Sequence, residues 1–234
     1  MKNGQIISIK RLVKRFPIGG GEFTALNGIS LSFGKGEFAG IVGPSGSGKT
    51  TLLNIIGSLD VPTEGKAIVM DTPSGMTARQ AASLRRQHIG FIFQTYNLMP
   101  VYTVFENVEF PLLLLNQSAA KRKKAVLEAL EWVGLSDKIR SKPAMLSGGE
   151  SQRVAIARAM VKKPSLVLAD EPTANLDAEN SHHILKTMEK LNKELNTTFV
   201  FATHDEKVIG YLRRIVRLED GRVVSDEAFK KPLS

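Results

Sequence analysis

Residues 43–50 read Gly-Pro-Ser-Gly-Ser-Gly-Lys-Thr, a spacing that suits phosphate binding. The glycines let successive backbone N–H groups turn inward around phosphate oxygens. Lys49 sets a cation against the outer phosphates, and the Thr50 hydroxyl can ligate Mg²⁺. A helix beginning behind the loop adds partial positive charge from its N-terminus. About a hundred positions later, Leu146–Glu150 read Leu-Ser-Gly-Gly-Glu ahead of a stretch rich in Ala, Val and Ile. Ser147 suits a helix cap, and Gly148 and Gly149 expose backbone N–H groups at the positive helix end. This is a second anion site or an ordinary cap. Two anion sites would suit one polyphosphate held between two protein copies.

Further polar residues close apolar runs. Ser165–Glu171 read Ser-Leu-Val-Leu-Ala-Asp-Glu, a buried strand releasing Asp170 and Glu171 at its C-terminal end. Ligands bind at that edge of an open parallel sheet. Asp170 can hold Mg²⁺ directly or through water, and Glu171 can orient or deprotonate an attacking water. Gln94 ends the run 89–93, and His204 ends the run 199–203. If these strands are parallel neighbours, all four ends meet on one edge. Gln94 is then placed to sense metal or water, and His204 to hydrogen-bond a γ-phosphate. Alone, a Gln or a His in such a place is more simply structural.

The elements needed to position these groups are legible as short apolar runs alternating with helical stretches, an α/β pattern with a mostly parallel sheet. The pattern predicts extended chain at 6–16 and strands at 26–33, 37–42, 89–93, 166–169, 198–202 and 215–218. A helix is expected from Gly48 to about Ser58, and a turn at 60–65. Glu219-Asp220-Gly221-Arg222 suits a hairpin turn. Thr103 can cap a helix over 104–115, and a second helix follows from about Ser118. A mainly helical block, about 95–163, therefore interrupts the α/β core. Lys121-Arg122-Lys123-Lys124 is expected on the exposed side of that second helix.

The bulk composition narrows the function classes. The chain has 234 residues, 42% hydrophobic and 24% charged, ordinary for a soluble globular protein. It has no cysteine, which excludes disulfides and thiolate metal sites. The start, Met1-Lys2-Asn3-Gly4, lacks the apolar core of a signal peptide, and no apolar run is long enough to span a bilayer. The expected location is cytoplasmic. A formal charge of +9 suits nucleic acid, an anionic membrane surface, an acidic partner, or simply a solvated basic face.

Taken in order along the chain, these motifs resemble the ATP-binding cassette (ABC) ATPases. The segment 43–50 is similar to their Walker A loop, Gln94 to the Q-loop glutamine, and Leu146–Glu150 to the ABC signature, continued by Gln152 and Arg153. The run 166–170 resembles Walker B, followed by the catalytic-type Glu171. Ala174–Asp177 resembles the D-loop, and His204 the switch histidine. Phe16 is placed like the aromatic that stacks on adenine. The stretch 93–100, with Thr103, Glu106-Asn107-Val108 and Pro111, looks like the lipoprotein-releasing and macrolide-export subgroup. The final Glu150 of the signature suits that subgroup, although Gln is commoner in the family.

The resemblance implies a P-loop NTPase core with an antiparallel β subdomain and an inserted α-helical subdomain. It implies one domain over 1–234, with core 1–94 and 164–234 and helical part about 95–163. It assigns ATP contacts to Phe16, Gly43, Pro44, Ser45, Gly46, Ser47, Gly48, Lys49, Thr50, Thr51 and Gln94. Ser147, Gly148, Gly149, Glu150 and Asp177 would contribute from the second copy of a head-to-tail homodimer. Mg²⁺ falls to Thr50, Gln94 and Asp170, and catalysis to Glu171, His204 and Lys49. A separate transmembrane permease would hold the chain on the inner face of the membrane. A nucleic-acid role is not expected, because neither a long coiled-coil insertion nor tandem cassettes are present. A cell-division type ATPase that regulates a membrane partner without transport is the alternative.

Overall fold

The computed structural model describes residues 4–229. Strands β1 (Gln5–Ile18) and β2 (Gly21–Gly34) form a long antiparallel pair. Then β3 (Phe38–Val42) runs through the 43–48 loop into α1 (Lys49–Ile56). β4 (Glu64–Val69) and β5 (Thr72–Pro73) complete a small sheet, followed by α2 (Ala78–His88) and β6 (Ile89–Ile92). Three helices come next: α3 (Val104–Leu113), α4 (Ala119–Trp132) and α5 (Gly148–Met160), the last preceded by a 3-10 turn at Pro143–Met145. The chain ends in β7 (Leu166–Asp170), α6 (Ala178–Leu195), β8 (Thr198–Thr203), α7 (Glu206–Ile209), β9 (Arg214–Glu219) and β10 (Arg222–Ala228).

The main sheet has the order β10-β9-β3-β8-β7-β6, and the small antiparallel sheet the order β2-β1-β4-β5. From β9 to β6 every neighbouring pair is parallel; β10 alone returns antiparallel. All of β3 is buried, as are the apolar residues of β7 and β8, because both faces of the sheet are covered. One face packs Phe38, Phe199 and Phe201 against α3, α4, α5 and α6. The other packs Ile41, Leu168 and Val200 against α1 and the small sheet.

The helical segment from 104 to 160 is fixed by caps. Thr103 Oγ1 accepts from Glu106 N (3.2 Å), and Glu106 returns a carboxylate oxygen to Thr103 N (2.7 Å). Ser118 precedes α4, but its side chain makes no capping bond. Of the four-residue basic run, Lys121, Lys123 and Lys124 are exposed as expected. Arg122 is not: it is partly buried, donating to Glu109 (2.7 Å) and to the Gln117 carbonyl (2.6 Å), which ties α4 to α3. β4, β5 and α2 are additional elements in a stretch where the residue pattern gives none. Among the described residues, no helix is long and apolar enough to cross a membrane.

Candidate active site

The ends of β3, β8, β7 and β6 lie side by side, so the 43–48 loop, His204, Asp170-Glu171 and Gln94 emerge along one edge. An open cleft of about 440 Å³ lies at this edge; Asp170 touches it through Thr50, while Gly43 and Pro44 line a neighbouring hollow with His204. The cleft is lined by Ser45, Gly46, Gly48, Lys49, Thr50, Thr51, Gln94, Glu171 and His204, with Phe16 and Phe23 at one end.

The loop needs glycine at two places in particular. At Gly43, a Cβ would strike the Leu218 carbonyl of β9, so the chain passes too close for any side chain. Gly48 has φ +100, and a Cβ there would lie 2.5 Å from the Ala25 carbonyl. Lys49 follows as the first residue of α1. Its ammonium donates to the carbonyls of Gly43 (2.7 Å) and Pro44 (2.8 Å), leaving the third of its N–H donors for another acceptor. Ser47 lies inside the loop: its hydroxyl is buried and without a hydrogen-bond partner, so its side chain does not face the cleft.

Thr50 Oγ1 donates to Asp170, at 3.0 and 3.2 Å from the two carboxylate oxygens. Burial raises the Asp170 carboxyl above its ordinary range. The Thr50 hydroxyl pulls it back, Glu171 pushes it up and Lys49 lowers it. Glu171 has a left-handed backbone, φ 45, and its N–H donates to the Ala202 carbonyl of β8 (2.9 Å). Its carboxylate accepts from Thr203 Oγ1 (3.0 Å) and from His204 Nδ1 (2.6 Å). Glu171 and His204 are thus one hydrogen-bonded unit, oriented by β8. Among the described residues, no group of three or more His, Cys, Asp or Glu is placed to hold a metal ion.

Two groups that sequence places with the nucleotide lie elsewhere. Ser147–Glu150 open α5 and do not line the cleft. They form a closed capping box: Ser147 Oγ accepts from Glu150 N (3.2 Å), and Glu150 accepts from Ser147 N (2.8 Å). That bond, with Lys138 at 3.3 Å, holds the Glu150 carboxyl below its usual range. Asp177 is the N-cap of α6, with both carboxylate oxygens taken by Asn180 at 2.8 and 2.7 Å. Its carboxylate therefore points to its own helix, not into this cleft. The two groups adjoin each other, since a Cβ on Gly148 would touch Leu176 and one on Gly149 would strike Asn180.

Sequence reasoning misses Phe23, and it names Asn175 only within the D-loop-like segment, without its bond to Gln94. Phe23 stands directly opposite Phe16 in the β1–β2 register and is 51% exposed at the mouth of the cleft. Its signal was an exposed aromatic facing another, readable only once the register is known. Asn175 Nδ2 donates to the Gln94 carbonyl (3.0 Å), tying the segment after β7 to the end of β6.

This fold and edge define a P-loop ATPase. The ABC transporter family matches residues 26–174, and the chain belongs to that family. It is 45% identical over 227 residues to the lipoprotein-releasing system ATP-binding protein LolD of Pseudoalteromonas translucida, covering 97% of this chain and 98% of that protein. It is 42% identical to the macrolide export ATP-binding/permease protein MacB of Burkholderia thailandensis, covering 94% of this chain but 34% of that longer protein. A solved dimeric ATP-binding cassette, in a post-hydrolysis state bound to ADP and Pi, superposes with TM-score 0.89 at 41% identity, covering 96% of this chain and 99% of that one. The cassette cbiO1 from Clostridium perfringens, part of the ABC transporter complex cbiONQ, gives 0.87 at 28% identity, covering 97% and 89%. The chain is the ATP-binding, ATP-hydrolysing subunit of an ABC transporter.

Proposed function

We propose that this subunit hydrolyses Mg-ATP on the Lys49–Thr50–Asp170–Glu171–His204 edge, as a head-to-tail homodimer that drives a separate membrane permease of the lipoprotein-release or macrolide-export kind. The observation that carries this reading is the convergence of a phosphate loop, a hydroxyl–carboxylate pair and an oriented Glu–His pair on one sheet edge. Lys49 and the loop N–H groups hold the outer phosphates. Glu171 accepts a proton from water aimed at the γ-phosphate, and His204 holds Glu171 in place while its exposed face meets the phosphate. Thr50 and Asp170 are hard oxygen donors 3.0 Å apart. They would hold Mg²⁺, which uses few protein ligands and takes the rest from phosphate and water; Gln94 lines the same cleft as Thr50. When bound, the ion neutralises charge on the phosphates.

The dimer is supported by geometry. The cleft is open to solvent, and the helix N-terminus at Ser147–Glu150 lies outside it, where it can cover the nucleotide of a second copy. Asp177 is bonded to Asn180, the residue that adjoins Gly149, and so belongs to that same contact face. The permease reading is supported by an apolar groove of about 560 Å³ that includes Phe91, Phe93, Met99, Phe110 and Leu114. Arg85, Arg86, Arg158 and Lys162 line it too, with no carboxylate among the lining residues. Burial lowers the Lys162 ammonium to about 8. The groove suits a permease segment carrying apolar and acidic side chains. If the chain divides into a core, 1–94 and 164–234, and a helical part, about 95–163, the groove draws on both, with Leu59 to Phe93 on one side of the division and Asn97 to Lys162 on the other. Docking there holds the subunit at the cytoplasmic face of the membrane.

Mg²⁺-dependent phosphate release by the purified chain tests the reading. Release should stop in EDTA; ATP bound with Mg²⁺ present but never hydrolysed would count against it. Phe16 and Phe23 frame the base-binding end. Each of Phe16→Ala and Phe23→Ala should raise the KM for ATP by about fivefold to a hundredfold, from stacking worth about 1–3 kcal/mol, with kcat little changed. An unchanged KM in both removes the aromatic site.

A further inference from the structure

The turn that carries Gln94 into the cleft is held in an unfavourable backbone form. Tyr96 and Asn97 have φ 60 and 50, two successive left-handed residues without glycine. Such a pair persists where its surroundings over-determine it. Both of their carbonyls accept from one side chain: Arg158 Nη2 donates to Tyr96 (2.6 Å) and Nη1 to Asn97 (2.5 Å). Two N–H groups in a rigid planar fork fix the positions of two oxygens relative to each other, a geometry that an ammonium on a flexible stem does not pre-set. Arg158 is largely desolvated there, and burial lowers the pKa of its guanidinium. It sits in the last turn of α5, the helix that opens with Ser147–Glu150, about 15 Å along the axis from Gly148 at 1.5 Å per residue. It also lines the apolar groove.

We infer that Arg158 is a positioning residue for ATP hydrolysis: it clamps the 96–97 turn, sets the place of Gln94 in the cleft, and ties that place to α5 and to the groove. This rests on the ATPase site proposed above. Asn175 holds the same turn from the other side, through the Gln94 carbonyl. The turn is therefore strung between the helix whose N-terminus would meet a second copy's nucleotide and the segment after Glu171. A shift of α5, from the dimer contact or from the groove, moves Gln94 through the fork.

The test compares Arg158→Ala, Arg158→Lys and the double variant Arg158→Ala/Asn97→Gly with the unaltered chain. It reads steady-state phosphate release and the affinity for a fluorescent ATP analogue. Misplacing Gln94 should lower kcat of Arg158→Ala by about tenfold or more, with analogue affinity within about threefold. Arg158→Lys should stay at least about threefold below the unaltered chain, since it makes no fork. Glycine adopts left-handed backbone freely, so Asn97→Gly should restore kcat of Arg158→Ala by about threefold. A merely structural Arg158 would give no such suppression. If Arg158→Ala does not fold, Arg158→Lys with and without Asn97→Gly gives the same readout. Full kcat in the single variants, or a loss that Asn97→Gly leaves untouched, overturns the inference. Lys49→Ala keeps the two readings apart: an active Lys49→Ala strikes the ATPase site itself, whereas an inactive one beside a fully active Arg158→Ala strikes this inference alone.

Discussion

Glu171→Gln binds ATP with near-normal affinity and loses phosphate release by about 10²–10⁴-fold, the range for removing a positioned general base. The change is nearly isosteric. The amide oxygen can still accept from Thr203 or His204, so the left-handed turn at 171 and the end of β8 should keep their places. What disappears is a carboxylate able to take a proton from water. Because the phosphate loop and Thr50–Asp170 are untouched, binding and chemistry separate cleanly. Phosphate release by Glu171→Gln at the rate of the unaltered chain would move the base to another residue.

Lys49→Ala has the opposite signature: binding and turnover fall together. The ammonium reaches into the loop, where two of its three donors already brace the Gly43 and Pro44 carbonyls. Removing it leaves phosphate charge unmatched at the α1 N-terminus and frees two loop carbonyls that point inward. A fixed cation lost from developing phosphate charge costs about 10²–10³ in kcat, with a rise in KM besides. Calorimetric titration with ATP alongside phosphate release checks both. A Lys49→Ala protein with ordinary turnover would refute the assignment of this loop.

The two substitutions draw on the part of the site that was readable from residues alone. Lys49, Thr50, Asp170, Glu171, Gln94 and His204 stand at the ends of apolar runs. A parallel sheet buried on both faces writes such runs plainly and delivers their ends to one edge. The caps at Thr103 and Ser147 were equally legible, because a capping box is a local pattern. Where long-range pairing decides, the signal fades. β4 buries only Ala67 and Val69, and α2 only Ala81 and Leu84, too few positions to set a period. Phe23 becomes a site residue through its register with Phe16. Asn175 reaches Gln94 across 81 positions, and Arg158 reaches Asn97 across 61. Arg122 belongs to the same class: in a run of four cations nothing marks the one that turns inward to Glu109.

The central claim is that one copy's phosphate loop and another's Ser147–Glu150 enclose the same nucleotide. Each chain has both halves, and only the first lines its own cleft. Light scattering on Glu171→Gln, which should trap ATP without consuming it, measures this most directly. The account predicts twice the 25.6 kDa chain mass with Mg-ATP and a single chain without nucleotide. Carrying Gly148→Asp in the same protein should abolish the doubling, because a carboxylate then sits at the helix end meant for phosphate. A chain that binds ATP tightly and remains monomeric would contradict the account.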